Sequence, residues 1–62
     1  MGMKRLRLRN ALGEDGGGWI VDNPRIINYA KDVLEDLRAE EPFSGWRLEA
    51  RGDETGWHIW RE

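Results

Sequence analysis

The residues best suited to chemistry in this 62-residue chain are arginines that alternate along its first predicted strand. Arg5, Arg7 and Arg9 are separated by single residues. In a strand, residues two apart lie on one face and stand roughly 6.8 Å from each other. Phosphates along a single nucleic-acid strand have a similar spacing, and proteins that bind single strands combine a basic groove with aromatic rings. The row therefore indicates a surface that could follow a phosphate backbone.

The last two predicted strands add cations and aromatic groups to the same surface. Alternation places Arg47, Glu49 and Arg51 on it, together with two residues of the final strand. Tryptophan and arginine are enriched among the residues that dominate protein interfaces. We therefore predict that the following residues bind a partner: Arg5, Arg7, Arg9, Ile20, Arg47, Arg51, His58 and Trp60.

The arginine rows also have an interpretation that involves no partner. Alternating arginines on an exposed strand cover apolar surface with their stems, keep their charged heads in water and discourage strand-to-strand aggregation. Charge alone specifies neither a partner nor a function. Trp60 is harder to explain in this way, because we expect it on the open side of the sheet near the end of the chain. It is therefore the strongest candidate for an interface anchor.

Catalytic and metal chemistry find little support in the sequence. His58 is the single histidine and there is no cysteine, so a transition-metal site lacks its usual ligands. The segment 13–18 contains acids and glycines, but it lacks the ligand pattern of a calcium loop and the Lys-Ser/Thr pair of a phosphate loop. We therefore predict no enzymatic activity, no catalytic residue, no metal and no cofactor.

Composition predicts one small domain over residues 1–62, with Met1 and Gly2 as a remnant of cloning ahead of Met3. Four tryptophans must supply much of the core, since no disulfide is available. No segment approaches the roughly 20 apolar residues that span a membrane. Zero cysteines and a net charge of −2 favour a cytoplasmic protein without membrane contact and weigh slightly against a general nucleic-acid binder.

The order of elements follows from periodicity and from turn residues. Residues 3–9 alternate as a strand, and the polar, glycine-rich stretch 10–17 indicates a mobile loop before a strand over 18–22. Asn23 and Pro24 predict the start of a helix, which should stop before Pro42. Strands over 45–51 and 56–61 then form a hairpin around residues 52–55.

Three Gly-Trp pairs, each followed two residues after the tryptophan by an aliphatic residue, set the expected core. Alternation places Trp19 with Val21, Trp46 with Leu48, and Trp57 with Ile59 on the buried side of the sheet. The predicted fold is a two-layer α+β sandwich of order ββαββ, with one helix packed on one face of a four-stranded, mainly antiparallel sheet. We expect the first strand beside the third; the alternative places the second beside the fourth.

Two functions of different classes remain open. The first is a small non-enzymatic module that binds a protein partner through its open Arg/Trp face or an edge strand. Small proteins of this type occur among accessory factors and inhibitors of phages and mobile elements, which is an analogy only. The alternative is binding of single-stranded nucleic acid or RNA on the same face. The chain is expected to be a monomer, or a weak homodimer through the sheet face.

Overall fold

The computed structural model describes residues 3–54 and 56–61. Its elements are β1 (Arg5–Arg9), β2 (Asp15–Ile20), α1 (Pro24–Glu40), β3 (Arg47–Arg51) and β4 (His58–Ile59). The strands form one antiparallel sheet in the order β2-β1-β3-β4, and α1 packs on one side of it. The predicted α+β class, the ββαββ order and the placement of the first strand beside the third are confirmed. The predicted cloning remnant, Met1 and Gly2, lies outside the described residues.

Helix α1 begins and ends where its flanking residues predict. The Asn23 side chain accepts a hydrogen bond from the backbone N–H of Arg25 at 2.9 Å, which satisfies one of the unpaired donors of the first turn. Pro24 occupies the first helical position, where its lack of an N–H costs nothing. The helix ends at Glu40, and the N–H of Glu41 still donates to the Leu37 carbonyl at 2.8 Å.

The core lies between the helix and the two central strands. Its fully or almost fully buried apolar residues are Leu6, Leu8, Ala30, Trp46, Leu48 and Ala50. Each buried leucine stabilises the fold by roughly 1.5–3 kcal/mol relative to an exposed one. Ala30 is the buried contact of the helix, and Trp19, Ile27 and Leu34 pack around this cluster with partial exposure. The inward-facing residues of β1 and β3 are therefore as predicted.

Strand β2 begins three residues earlier than predicted, so residues 10–17 do not form one irregular loop. Asn10 is buried and organises the turn: its Oδ1 accepts from the N–H groups of Leu12 and Glu14 at 3.0 and 2.9 Å. Residues 15–17 belong to β2. A Cβ at Gly16 would lie 2.9 Å from both Leu37 Cδ1 and the Trp46 ring, so this glycine allows close packing. The predicted mobility of the segment stays a prediction.

The faces of β4 are the reverse of those predicted. Glu49 pairs with Ile59 and Ala50 with His58, which puts Ile59 on the side of Glu49 and His58 on the side of Ala50. Trp57 therefore shares the helix-free side with Ile59, whereas Trp60 packs against the core. The predicted burial of Trp57 and Ile59 was wrong, as was the open-face placement of His58 and Trp60. A shift of one residue in pairing exchanges every side chain between faces.

Candidate interaction face

The side of the sheet that faces away from α1 carries most of the predicted partner-binding residues. We call this side the open face. It consists of Gly18 and Ile20 from β2, Arg5, Arg7 and Arg9 from β1, Arg47, Glu49 and Arg51 from β3, and Trp57 and Ile59 from the final hairpin arm. Six of the eight predicted residues lie here, namely Arg5, Arg7, Arg9, Ile20, Arg47 and Arg51.

His58 and Trp60 do not belong to the open face. His58 is exposed on the opposite side, and its Nδ1 lies 3.4 Å from the Gly56 carbonyl oxygen. Trp60 lines a groove of about 300 Å³ with Leu34 and Arg38 of the helix, and Arg47 and Ile59 at the margin of the open face also line it. Neither side chain can therefore act together with the arginines of β1.

Register aligns the open-face residues in rows that cross the strands. The first row is Ile20, Arg5, Arg51 and Trp57; the second is Gly18, Arg7, Glu49 and Ile59; the third is Arg9 and Arg47, with Asp15 beside Arg9. Residues directly opposite on antiparallel strands have Cβ atoms roughly 4.5–5.5 Å apart. The rows therefore bring arginines of β1 and β3 into contact distance, and their repulsion must be offset.

Glu49 offsets much of this repulsion. Its Oε1 accepts from Arg7 Nε at 2.8 Å and its Oε2 accepts from Arg47 Nε at 3.0 Å. The carboxylate is buried beneath the two guanidinium groups. Burial by itself raises the pKa of Glu49, but the hydrogen bonds and positive charges of Arg7 and Arg47 outweigh burial, and the pKa is lowered from its ordinary value. Glu49 is therefore ionised at neutral pH.

Two further contacts hold the arginines of β1. The Arg7 guanidinium carbon lies 4.1 Å from the centroid of the Trp57 ring, in cation–π geometry. Arg9 Nε donates to Asp15 Oδ1 at 2.6 Å. Arg7 is thus fixed by a carboxylate and an aromatic ring, and Arg9 by a carboxylate. The row Arg5, Arg7 and Arg9 is not a row of three unpaired cations.

The remaining positive charge is concentrated at one end of the open face. Arg5 and Arg51 lie directly opposite each other, and both are exposed. Within residues 3–54 and 56–61, neither forms an ion pair; Arg51 instead lies 5.8 Å from the Trp57 ring centroid. We call Arg5 and Arg51 the arginine pair. Its like charges face each other with no carboxylate partner among the described residues, which is unfavourable in a sheet.

A cleft of about 220 Å³ adjoins Arg5 of the arginine pair. It is lined by Arg5, Leu6, Arg7, Gly18, Trp19, Ile20 and Trp57. Gly18 lies opposite Arg7 and has no side chain to fill the space. Trp57 and Ile20 therefore border a recess that Arg5 and Arg7 also line, an arrangement suited to an apolar group next to an anion. Trp57 and Ile59 were not among the predicted partner-binding residues, because the predicted phase of β4 was wrong.

Neither a candidate metal cluster nor a membrane-spanning helix is found in the part of the chain that the structure describes. There, no cluster of three or more His, Cys, Asp or Glu side chains is placed to hold a metal ion. The same residues include no helix with the length and apolar character needed to cross a bilayer. The open face therefore remains the candidate site.

Comparison of the chain with family models, with curated proteins and with solved structures found no match in any of the three. Function must therefore be argued from the open face itself. The relevant properties are its tryptophan, its exposed isoleucines and the different pairing of its five arginines.

Proposed function

We propose that the protein is a small non-enzymatic interaction module that binds a protein partner through its open face. The contact between Arg7 and Trp57, above the buried Glu49, is the observation that carries this proposal. It places the two residue types that dominate interface energies at the centre of an accessible sheet surface. Ile20 and Ile59 flank this centre and are 63% and 53% exposed.

Preorganisation supports the same proposal. Ordering a flexible side chain on binding costs roughly 0.5–1.5 kcal/mol. Arg7 and Arg47 are already held by both oxygens of Glu49, and Arg7 also lies over Trp57. Much of this cost is therefore met when the protein folds. A partner meets a rigid surface of aromatic, aliphatic and cationic groups.

Binding of single-stranded nucleic acid or RNA is the alternative function. The observation in its favour is that the five arginines of the open face outnumber the two neighbouring acids, Glu49 and Asp15. Against it, Arg7, Arg9 and Arg47 are engaged by carboxylates. On a single strand, each phosphate that is neutralised steepens the fall of log affinity with log salt concentration by about 0.7. Among the open-face arginines, and within the residues that the structure describes, Arg5 and Arg51 alone have no carboxylate partner. We therefore expect a weak salt dependence, and we rank this function second.

The surface charge also bears on self-association and on edge binding. If two copies met through their open faces, the excess arginines of one copy would lie against those of the other and repel them. We therefore propose a monomer rather than a homodimer through the sheet face. Strand β2 lies at one edge of the sheet. A partner strand added there would extend the sheet beside Ile20, and edge binding would thus enlarge the same interface.

The composition and size of the chain support a proposal about its cellular compartment and the type of gene that encodes it. A chain without cysteine suits a reducing compartment, and we propose that the protein acts in the cytoplasm. By analogy alone, its small size and single interaction surface suit an accessory factor or inhibitor encoded by a phage or mobile element.

Site-specific photocrosslinking tests the proposed face. A photoreactive phenylalanine is placed at Ile20 or Ile59 on the open face, or at one of two control positions, Tyr29 and Phe43, which are 59% and 100% exposed. Each variant is expressed in the cells from which the gene comes and irradiated. We expect a discrete protein adduct from Ile20 and Ile59 only. Adducts from Tyr29 or Phe43 without any from the open face would overturn the proposal.

A parallel binding measurement separates the two functions. Labelled single-stranded DNA and RNA of mixed sequence are titrated with the protein at low and moderate salt, and fluorescence anisotropy is recorded. The protein-partner proposal predicts that nucleic-acid binding is weak already at low salt and that its affinity falls only gradually as salt is added. Tight binding that is lost in Arg5→Gln and retained in the control Arg25→Gln, an exposed residue of the helix, would favour the alternative function.

A further inference from the structure

We infer that the arginine pair, Arg5 and Arg51, binds a carboxylate of the partner, while an apolar side chain next to that carboxylate enters the cleft between Trp57 and Ile20. The inference rests on the proposed function, because it names the chemistry that a protein partner presents to the open face. The expected ligand is an acidic peptide segment in which Asp or Glu adjoins an aliphatic or aromatic residue.

The first support is the difference in pairing among the arginines. Arg7 and Arg47 share Glu49, and Arg9 binds Asp15. The arginine pair has no carboxylate among the residues that the structure describes, although its two members face each other across β1 and β3. A carboxylate supplied by a partner would relieve this repulsion, so charge complementarity favours an anionic group at this end of the face.

The second support is a bound carboxylate already present on the same face. Glu49 engages two guanidinium groups at once, with Oε1 on Arg7 Nε and Oε2 on Arg47 Nε. Charge-assisted hydrogen bonds of this kind are about twice as strong as neutral ones. The Glu49 contacts show that this sheet holds guanidinium groups close enough for one carboxylate to join two of them. We expect the partner's carboxylate to bridge Arg5 and Arg51 in the same manner.

The third support is the apolar border of the cleft. Trp57 and the exposed Ile20 stand at the two ends of the row that contains the arginine pair. The recess between them suits an aliphatic or aromatic side chain, and burial there adds roughly 25 cal/mol for each Å² of apolar surface removed from water. A phosphate chain has no apolar group for this recess unless a base turns into it. Since Arg7 already lies against the Trp57 ring, an apolar side chain fits the cleft better than a stacked base.

The test is an NMR titration with two short peptides that differ in one charge. The probes are acetyl-Leu-Glu-Leu-amide and acetyl-Leu-Gln-Leu-amide, and the signals followed are the arginine Nε–Hε groups and the Trp57 indole N–H. We expect the Glu peptide to shift the signals of Arg5, Arg51 and Trp57 in a manner that weakens with salt. The Gln peptide should bind at least several-fold more weakly.

Charge-matched variants locate the effect. Arg5→Gln and Arg51→Gln should each weaken binding of the Glu peptide about five- to tenfold, which corresponds to about 1–1.4 kcal/mol and is within the usual net contribution of one hydrogen bond. Arg9→Gln removes the same charge from the same face, but its guanidinium already binds Asp15, so it should leave affinity within about twofold. Equal weakening by Arg5→Gln and Arg9→Gln would overturn the inference, because binding would then follow net charge alone.

Filling the cleft tests the apolar part of the inference. A Cβ at Gly18 would meet nothing nearer than the Leu6 carbonyl oxygen at 3.7 Å, so Gly18→Val should fold. Its branched side chain occupies the recess, and we expect affinity for the Glu peptide to fall at least fivefold while inorganic phosphate still shifts Arg5 and Arg51. Unchanged peptide affinity in a folded Gly18→Val variant would overturn this placement.

Failure of the inference and failure of the proposed function give different results. If the peptides cause no shift, or the two peptides bind equally, while a crosslinker at Ile20 still captures a protein, then the inference fails and the proposed function stands. If a single-stranded oligonucleotide displaces the Glu peptide at much lower concentration, and no protein crosslinks to Ile20, then both fail and the nucleic-acid function replaces them.

Discussion

The guanidinium carbon of Arg7 lies 4.1 Å from the centroid of the Trp57 ring, although Trp57 immediately precedes β4, which is not adjacent to β1 in the sheet. β3 separates the strand of Arg7 from the hairpin arm that carries Trp57. The indole ring must therefore lie across the open face above β3. In this position Trp57 covers the ion pair of Arg7 with Glu49 and leaves the packing against the helix to Trp60.

The first prediction concerns these two tryptophans. Trp60→Ala should lower the free energy of unfolding by about 2 kcal/mol, less than a fully buried tryptophan would because Trp60 is only partly buried. Trp57→Ala should cost about 0.5–1 kcal/mol through the lost contact with Arg7. Urea denaturation followed by far-UV circular dichroism measures both changes. A larger loss for Trp57→Ala than for Trp60→Ala would contradict the faces assigned to β4.

The second prediction compares two glycines of β2. Gly16→Ala should destabilise the fold by about 1–3 kcal/mol, because the new methyl group would lie 2.9 Å from Leu37 Cδ1 and the Trp46 ring. Gly18→Ala is the matched control. Its methyl group meets only the Leu6 carbonyl oxygen at 3.7 Å, so the variant should be neutral or more stable by up to about 1 kcal/mol. Thermal unfolding checks the difference, and equal melting temperatures would contradict close packing at Gly16.

The same glycine shows why the start of β2 could not be predicted. A run of glycines next to acidic residues is typical of an irregular loop, since glycine weakens a strand by its flexibility. Here Gly16 has a packing role that only the folded chain reveals, because Trp46 and Leu37 approach it from distant parts of the sequence. At this position tertiary packing outweighs the low strand propensity of glycine.

The phase of β4 was missed for a different reason. In residues 57–60, each face of an alternating strand would carry one tryptophan. One face carries Trp57 and Ile59, and the other carries His58 and Trp60. Hydrophobicity favours burial of the first pair, and that expectation was wrong. The connection between β3 and β4 decides the phase, because it pairs Ala50 with His58 and so puts Trp57 on the open face. In the sequence, the phase of β4 was indicated only by the number of residues that connect it to β3.

Other parts of the fold and site were predictable because their signals are local. Asn23 and Pro24 mark the start of the helix and Pro42 excludes its continuation. Strands β1 and β3 alternate without interruption, so the open-face arginines of both strands followed directly from their spacing. The pairing of each arginine with a particular carboxylate could not follow from spacing, since it depends on strand order and register.

The third prediction concerns the turn between β1 and β2. Asn10→Ala should lower stability by about 1–3 kcal/mol, because the backbone N–H groups of Leu12 and Glu14 would lose their shared acceptor in a partly buried turn. Asn28→Ala, at an exposed position in the second turn of α1, serves as control and should be neutral or slightly stabilising. Chemical denaturation and amide hydrogen exchange at Leu12 and Glu14 provide the measurement. Unchanged exchange rates in Asn10→Ala would show that the Asn10 side chain does not hold the turn.

The fourth prediction is a pH dependence that originates in Glu49. Its pKa is lowered in the folded protein by hydrogen bonds and charge from Arg7 and Arg47, despite the opposing effect of burial. In the unfolded chain, the pKa of Glu49 is near the ordinary value of about 4.3. Glu49 therefore contributes stability that is fully present above about pH 4.3 and is lost as the pH falls through the lower folded pKa.

Glu49→Gln removes this contribution while keeping the shape of the side chain. At neutral pH we expect it to lower the free energy of unfolding by about 1.5–3 kcal/mol, the range for hydrogen bonds to charged groups. Below about pH 4.3 the difference from the wild-type protein should shrink as wild-type Glu49 becomes protonated. Denaturation curves between neutral and acidic pH measure it, with Glu54→Gln, an exposed acid in the hairpin turn, as the charge-matched control. A difference that stays constant across this range would mean that Glu49 is not ionised between its two arginines.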